Sequence, residues 1–214
     1  MATTQVRIGP ADHGRGMALE EFGDAEAEPG YRYELGQGVL EVTEVAGRPR
    51  GEIVSNLYMA IASYHREHPG SIDRFGGGGE FYLRVPAMRS GRHPDLGVVL
   101  VDTPSDDRGR DKPSLVAEVV SAGSKARDYQ SKRQEYLAFG IRAYWIVDLY
   151  KREVTILVRR EGGEPATWDE HVIGGDAVIA SDVLPGFVTT AAELWLEVPM
   201  DDGVADGPAG EATP

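Results

Sequence analysis

The segment Leu115–Asp148 decides how this chain folds, and it reads LVAEVVSAGSKARDYQSKRQEYLAFGIRAYWIVD. Its two apolar runs, Leu115–Ser121 and Ala143–Asp148, are typical of buried strands. We expect a helix between them, from about Lys125 to Phe139, because Gly140 is the residue type that often ends a helix. The segment therefore predicts a strand, a helix and a second strand.

Similar patterns on either side of this segment predict the remaining elements. Alternating residues around a glycine-containing turn indicate a hairpin, and apolar residues at every third or fourth position indicate a helix after it. This order favours an α/β or α+β fold with a mixed central sheet flanked by helices. The predicted elements are a hairpin of Tyr31–Leu35 and Val39–Val45, a helix over Glu52–His65, strands at Phe81–Val85 and Leu96–Val101, short C-terminal strands at Val154–Arg159, Trp168–Ile173, Ala177–Ala180 and Phe187–Thr190, and a helical turn near Ala191–Glu197.

The length of 214 residues is compatible with one domain and two extensions. Residues 1–30 are rich in Gly and Glu with little periodicity, which predicts a poorly ordered lead-in with a short helix near Met17–Phe22. Residues 198–214 are acidic and poor in apolar side chains, which predicts a disordered tail. The folded domain is expected to span residues 31–197.

Composition excludes several classes of function. The chain has no cysteine, so thiolate nucleophiles and cysteine-ligated metals are impossible. It has no apolar run long enough to span a membrane and no apolar N-terminal stretch, so we expect a cytoplasmic protein without a membrane partner. The net charge of −13 argues against nucleic acid. However, residues 50–160 carry 18 basic and 14 acidic side chains, so an anionic substrate is still compatible with this stretch.

Two acidic residues lie in or beside predicted strands and need a partner. Glu118 lies within an apolar run, and burying an ionised carboxylate is costly unless the group is paired or binds a metal. Asp95 opens another apolar strand, where Gly97 leaves space beside it. If the two strands are neighbours, the two acids converge. Paired carboxylates suit Mg²⁺ or Mn²⁺, and such a metal site performs phosphoryl chemistry.

The predicted helix after the Glu118 strand supplies a lysine. Asp128, Lys132 and Tyr136 are four residues apart, so they share one face of the helix. The short connection to the helix would turn this face towards the sheet. A lysine there could orient a water or stabilise developing charge.

These residues, in this order and spacing, resemble a known family. The likeness covers most of the chain except its two ends, and it is to the Uma-type restriction endonuclease family of the PD-(D/E)xK nuclease superfamily. It implies a restriction-endonuclease-like core, with Asp95 as the acid of the PD motif, Glu118 as the acid of (D/E)xK, and Lys132 as a catalytic lysine displaced onto the helix. Val120 stands where the superfamily has its lysine. The motifs that carry the likeness are His93-Pro94-Asp95, Leu115–Ser121, Arg127-Asp128, Lys132, Tyr136, Gly140 and Tyr144–Asp148.

The resemblance implies DNA as partner, with a possible homodimer, and adds further residues to the predicted site. Glu34 matches an early glutamate of the family and is an accessory ligand candidate. Asp128 and His93 are further accessory candidates, Asp128 as a structural partner and His93 as a base or substrate contact. Arg50 stands where relatives carry a histidine, which leaves its role open. Candidates for contact with the DNA backbone are Arg84, Arg89, Arg92, Lys125 and Arg127, whereas Arg108, Arg110 and Lys112 alternate with aspartates and are interpreted as an exposed loop.

Two other functions remain open at this stage. One is a catalytically inactive PD-(D/E)xK-like domain that binds a partner or nucleic acid without cutting it, because a shared fold does not prove a shared activity. The other is a metal-dependent hydrolase of small phosphorylated molecules. A purely structural ion pair between Glu118 and Lys132 would also explain the buried acid.

Overall fold

The computed structural model describes residues 5–45, 47–104, 112–121, 123–160, 162 and 165–199. These residues form fourteen strands and four α-helices. The strands are β1 (Arg7–Ile8), β2 (Glu26–Ala27), β3 (Tyr31–Gly36), β4 (Val39–Glu44), β5 (Ile72–Gly76), β6 (Leu83–Val85), β7 (Ser90–Arg92), β8 (Leu96–Leu100), β9 (Leu115–Val120), β10 (Ala143–Asp148), β11 (Glu153–Arg159), β12 (Trp168–Gly174), β13 (Val178–Ala180) and β14 (Val188–Thr190). The helices are α1 (Leu19–Gly23), α2 (Arg48–Glu67), α3 (Lys132–Phe139) and α4 (Ala191–Leu194).

The central sheet has six strands in the order β12-β11-β10-β9-β8-β5. Only β9 and β10 pair in parallel, because α3 crosses between them, and the other neighbouring strands are antiparallel. The predicted mixed sheet is therefore confirmed, and its parallel pair is the strand-helix-strand segment. A second sheet, β4-β3-β7-β6, contains the predicted N-terminal hairpin.

Alternation along β9 divides the core between the two faces of the central sheet. Leu115, Ala117 and Val119 pack with α2 and α4, whereas Val116 and Val120 pack with Tyr136 of α3. Glu118 shares the face of Val116 and Val120 by the same alternation. The sheet thus points this acid towards α3. Tyr144 and Trp145 of β10 are fully buried on opposite faces, as their apolar strand predicts.

The N-terminal region differs from the expected lead-in. Residues 5–30 form β1, α1 and β2, and their apolar side chains pack on the hairpin in a small third cluster. Helix α1 coincides with the predicted short helix near Met17–Phe22. The segment lacks periodicity because turns place its core side chains one at a time, and this is why its sequence pattern wrongly indicates poor order. The buried N-terminal residues of this cluster are Ile8, Met17, Leu19 and Phe22.

Strands β5 and β7 and part of the predicted helix depart from the predictions, and two further predicted segments lie outside the described residues. The sequence does not predict strands β5 and β7, because their residues, IDRFG and SGR, lack an apolar run. The predicted helix from Lys125 to Phe139 is present, but its residues Arg127–Ser131 are π-helical and α3 forms only its last part. Gly140 ends α3 with φ of 88°, as its residue type predicts. The tail from residue 200 and the loop containing Arg108 and Arg110 lie outside the described residues.

Within the ranges that the structure describes, no helix has both the length and the apolarity needed to cross a membrane.

Candidate active site

Asp95 and Glu118 meet where two neighbouring strands run side by side. Asp95 directly precedes β8, which pairs with β9 so that Leu96 lies opposite Ala117. The Asp95 Oδ2 atom accepts a hydrogen bond of 2.8 Å from the backbone N–H of Val119. Asp95 is 6% exposed and Glu118 is 1% exposed. The register therefore places both predicted acids in one buried site, as expected for neighbouring strands.

Lys132 projects from the first turn of α3 onto the same site. Its Nζ atom lies 2.9 Å from Glu118 Oε1 and 3.5 Å from Asp128 Oδ1. Tyr136, one turn further along, donates a hydrogen bond of 2.5 Å to Glu118 Oε1. The predicted helix face does turn towards the sheet, so Lys132 stands beside Glu118 although it is distant from the strand in sequence.

Glu34 reaches the site from the hairpin of the second sheet. Its Oε2 atom lies 3.1 Å from Lys132 Nζ, and its Oε1 atom accepts a hydrogen bond of 3.0 Å from the backbone N–H of His93. Glu34 is 3% exposed. The hairpin therefore contributes a third carboxylate, and it also fixes the connection between β7 and β8 that carries Asp95.

Two arginines contact the acids, and sequence reasoning does not assign them a role. Arg32 Nη1 donates to Asp95 Oδ1 at 2.5 Å, and Arg32 Nη2 lies 3.7 Å from Glu118 Oε2. Arg50 Nη2 also donates to Asp95 Oδ1, while Arg50 Nε donates to the carbonyl oxygen of Val119 at 3.0 Å. Arg32 precedes Glu34 by two residues on the same strand, and this shared face is the one available sequence signal.

The oxygen donors around these arginines suit a hard divalent cation. The Arg50 guanidinium stands between a carboxylate oxygen of Asp95 and the carbonyl oxygen of Val119, so this position already holds a positive charge. Carboxylate and carbonyl oxygens are the ligands that Mg²⁺ accepts, with water completing its shell. The described residues contain no group of three or more His, Asp or Glu side chains arranged to hold a metal. The candidate ligands for such a cation are therefore the carboxylates of Asp95 and Glu118 and the carbonyl oxygen of Val119.

Burial and neighbouring charges shift the pKa values of Glu118 and Asp95 in opposite directions. Burial raises the pKa of Glu118 to about 7, although the Lys132 ammonium opposes this rise. Burial acts the same way on Asp95, but Arg32 and Arg50 outweigh it and hold the pKa of Asp95 below its ordinary value. For Lys132, burial acts to lower the pKa, and the carboxylates of Glu118 and Glu34 nevertheless hold it above the ordinary value. Lys132 is therefore a cation at neutral pH.

Two of the predicted phosphate contacts are buried in ion pairs in this structure. Arg92 is 0% exposed and pairs with Glu135 through its Nε atom at 2.5 Å and its Nη2 atom at 3.0 Å. It also pairs with Glu41. Arg84 is buried and pairs with Glu20 at 2.7 Å. Both arginines lie on the short strands β6 and β7, whose inward direction the sequence does not reveal.

The remaining candidates occupy the edge of the site. Lys125 is exposed on the connection before α3, and Arg127 is half-buried with its Nε atom 3.8 Å from Glu34 Oε2. Arg89 is exposed in the turn before β7 and donates to the carbonyl oxygen of Gln37. The His93 ring turns away from the acids, because Nδ1 bonds the carbonyl oxygen of Phe81 at 2.8 Å, and burial lowers its pKa.

The chain is similar to known proteins in both sequence and structure. The model of the Uma2 family, described as "Putative restriction endonuclease", matches residues 19–193. Among solved structures, the chain is similar to a protein from Anabaena variabilis ATCC 29413 described as a "putative nuclease belonging to DUF820". The two are 16% identical with a TM-score of 0.65, and the match covers 84% of this chain and 98% of the other. No curated protein matches. At this identity, the structural likeness establishes a shared fold.

Proposed function

Because this chain belongs to the Uma2 family of the restriction endonuclease type, we propose that it is a Mg²⁺- or Mn²⁺-dependent endonuclease that hydrolyses phosphodiester bonds of DNA. The observation that carries the proposal is the position of Lys132 Nζ, 2.9 Å from Glu118 and 3.1 Å from Glu34. A lysine on the helix thereby stands beside the acid of the sheet, which supports its role in place of the absent lysine at Val120.

The metal would be held by Asp95, Glu118 and the carbonyl oxygen of Val119. These are hard oxygen donors, and Arg50 already bridges two of them. When bound, the cation supplies polarisation of the phosphodiester and lowers the pKa of water. Asp95 is suited to this task because its pKa is held low, so its carboxylate is ionised at neutral pH.

Lys132 and Tyr136 would act on the reacting groups from the helix side. Lys132 stays protonated because its pKa is raised, so it donates hydrogen bonds and stabilises negative charge on the phosphate instead of accepting a proton. Tyr136 donates to Glu118 Oε1 and fixes the direction of that carboxylate. The Glu34 carboxylate lies 3.1 Å from the Lys132 ammonium and holds it in place.

DNA is the proposed substrate because exposed and half-buried cations border the acids. Arg127 lines the same pocket as Glu118, Asp128 and Lys132, and Lys125 is exposed two residues before it in the chain. Cations at this edge would contact phosphates and position the strand, and they would make binding dependent on salt.

Cleavage of supercoiled plasmid in Mg²⁺ or Mn²⁺ at low salt tests the proposal. We expect the wild type to nick the plasmid only with metal present, and we expect Glu118→Gln and Lys132→Met each to lower the rate by about 10²–10³-fold. Lys151→Met is the matched control, because Lys151 is exposed and lies outside the site. Thermal melting of each variant shows whether it remains folded.

The absence of cutting by wild-type protein on supercoiled, relaxed and single-stranded DNA, with either metal, would contradict the proposal. That result would favour the second candidate, a domain that binds nucleic acid without cutting it. The observation that favours this second function is that Arg32 and Arg50 both pair with Asp95, so this acid has cationic partners within the protein. Turnover of a small phosphorylated compound that does not depend on salt would instead indicate a small-molecule hydrolase.

A further inference from the structure

A deep cleft opens beside Asp95, on the side of the site away from Lys132. Its volume is about 680 Å³, which is within the range of pockets that enclose a small ligand. One wall comes from residues of β3, another from the first turns of α2, and a third from the glycine run 77–79 after β5. The cleft shares Arg32, Arg50 and Asp95 with the candidate active site, so a group bound in it lies directly next to the acids.

Several aromatic side chains line this cleft. The Tyr82 ring stacks on the His93 ring with centroids 5.1 Å apart and an interplanar angle of 23°. Tyr31 and Tyr33 meet edge to face on the hairpin side, with centroids 6.5 Å apart. Tyr58 of α2 completes the lining. Flat aromatic surfaces of this kind are what nucleobases stack on in proteins that bind single strands.

Glycines at the mouth of the cleft have two different surroundings. A Cβ atom at Gly77 would lie 2.0 Å from the carbonyl oxygen of Asp95, so only glycine fits there. At Gly51 and Gly79 the opposite holds, because a Cβ atom would meet no atom within 4 Å. Side chains at these two positions would therefore project into open space at the cleft. The run GGGG at residues 76–79 therefore allows the close approach to Asp95 after β5 and also leaves the cleft accessible to a ligand.

Polar groups within the cleft are available for a ligand. Among the residues described, the hydroxyl of Tyr33 and the Nε atom of Arg32 are buried without a hydrogen-bond partner. Tyr33 is 7% exposed. Unpaired buried polar groups are costly, and a ligand with hydrogen-bonding edges would remove this cost. The guanidinium groups of Arg32 and Arg50 both border the cleft and contact Asp95, so cationic donors for an anionic ligand lie at its floor.

From these features we infer that the cleft binds one unpaired nucleotide of a nucleic-acid strand, with its base against the aromatic side chains and its phosphate towards Arg32 and Arg50, beside the acids. The inference rests on the proposed function, since it names the form of the substrate for that same site. A base within a duplex has both faces covered by its neighbours and cannot stack on an aromatic side chain such as Tyr58. The substrate is accordingly single-stranded or locally unpaired, and intact duplex is a poorer ligand.

Binding without metal tests this inference independently of cleavage. Fluorescence anisotropy in EDTA compares the full chain with a labelled single-stranded oligonucleotide, the corresponding duplex, and the duplex with one unpaired nucleotide. We expect the single strand and the unpaired nucleotide to bind at least about tenfold more tightly than the intact duplex, because stacking adds to the phosphate contacts.

Two variants block the cleft without touching the acids. Gly51→Leu lies on the first turns of α2 and meets no atom, and leucine favours helix more than glycine does, so the fold is retained. Gly79→Leu blocks the opposite rim. We expect each to weaken single-strand binding about tenfold and to leave duplex binding unchanged. Ser55→Leu is the matched control, because Ser55 is exposed on α2 outside the lining of the cleft.

The outcomes separate this inference from the proposed nuclease activity. Equal affinity for single strand and duplex, or unchanged affinity in both glycine variants, overturns the inference even if the protein cuts plasmid. Selective single-strand binding that both glycine variants lose supports the inference even if no cutting occurs. A nucleoside monophosphate that binds the cleft while the oligonucleotide does not would overturn it as well, in favour of a small-molecule ligand.

Discussion

Two groups of buried charges lie side by side in this protein, and they differ in how completely their charges are paired. The closed ion pair, Arg92 with Glu135, is 0% exposed at both side chains. Two guanidinium nitrogens of Arg92 contact the two Glu135 oxygens, and the Ser90 hydroxyl donates a further bond of 2.8 Å to Glu135. Arg92 also pairs with Glu41 and lies 3.6 Å from Glu34, so its guanidinium nitrogens all have carboxylate neighbours and none is left for a ligand.

The open acid cluster, which comprises Glu34, Asp95 and Glu118, is built differently. The single ammonium of Lys132 is shared between Glu34 and Glu118, and the guanidinium of Arg32 lies within 3.8 Å of all three acids. The Arg32 side chain is 21% exposed and borders the cleft. The same residue types thus form a structural pair in one place and a candidate site in the other. The difference lies in access to solvent, because the Arg92 and Glu135 side chains are 0% exposed whereas Arg32 is 21% exposed.

The largest expected effect comes from breaking the closed ion pair. Glu135→Gln removes the fully buried carboxylate that Arg92 contacts through two nitrogens and leaves the partly exposed Glu41 as its nearest carboxylate, so we expect the free energy of unfolding to fall by about 3–5 kcal/mol. Urea unfolding measures this loss. Glu52→Gln is the control, because Glu52 pairs with Arg48 at the surface, where an ion pair contributes about 0–1 kcal/mol. Equal losses in the two variants would contradict the division into closed and surface pairs.

A smaller effect is expected from the pH dependence of the open cluster. The pKa of Glu118 is raised to about 7 from an ordinary value of 4.5, so the folded protein keeps this proton after the unfolded chain has lost it. Stability contributed by the protonated group is present below pH 4.5 and is lost as the pH rises to about 7. Relative to Glu118→Gln, the wild type should lose about 3 kcal/mol across this window.

Urea unfolding of the wild type and Glu118→Gln at several pH values between about 4 and 8 measures this difference. The low pKa values of Glu34 and Asp95 act with the opposite sign in both proteins, so the comparison must be made between the two and not on the wild type alone. A constant difference in unfolding free energy across the window would show that Glu118 ionises normally in the folded protein.

The sequence predicts the parts of this molecule that follow from local pattern. The apolar runs of β8, β9 and β10 and the spacing along α2 place the central sheet and its helix, because burial on a sheet face requires that pattern. The position of Glu118 within an apolar run, with Lys132 on the following helix, likewise indicates a buried charged site. The central sheet and its acids therefore follow from residues that are close together in the chain.

The arginines could not be predicted in the same way, because their roles depend on distant partners. Arg92 is adjacent to the PD motif in sequence, yet it points into the closed ion pair, and its partner Glu135 is 43 residues away. Arg50 contacts Val119 across 69 residues. Nothing local distinguishes an arginine that binds phosphate from one that neutralises a carboxylate. Only the packing of α2 on β9, for Arg50, and of the second sheet on α3, for Arg92, makes this distinction.

The smallest expected effect tests whether Arg50 competes with a divalent cation for the open cluster. Arg50 donates to Asp95 and to the Val119 carbonyl oxygen, two of the groups proposed to hold the metal, so a cation must displace its guanidinium to bind them. Arg50→Ala removes the competitor and should tighten Mn²⁺ binding about tenfold, a change comparable to one charge-assisted hydrogen bond. Electron paramagnetic resonance of free Mn²⁺ measures this affinity without any nuclease assay.

Arg48→Ala serves as the matched control, because it removes the same charge from the same helix at a side chain that is 77% exposed and pairs with Glu52. Tighter binding in both variants would indicate a general effect of net charge instead of competition at Asp95. Unchanged binding in Arg50→Ala would mean that the metal and the guanidinium occupy different positions. Tighter Mn²⁺ binding in Arg50→Ala alone would show that the Arg50 guanidinium occupies the metal position before a metal binds. Its positive charge would then stabilise the acids of the open cluster in the folded protein until the metal and the substrate bind.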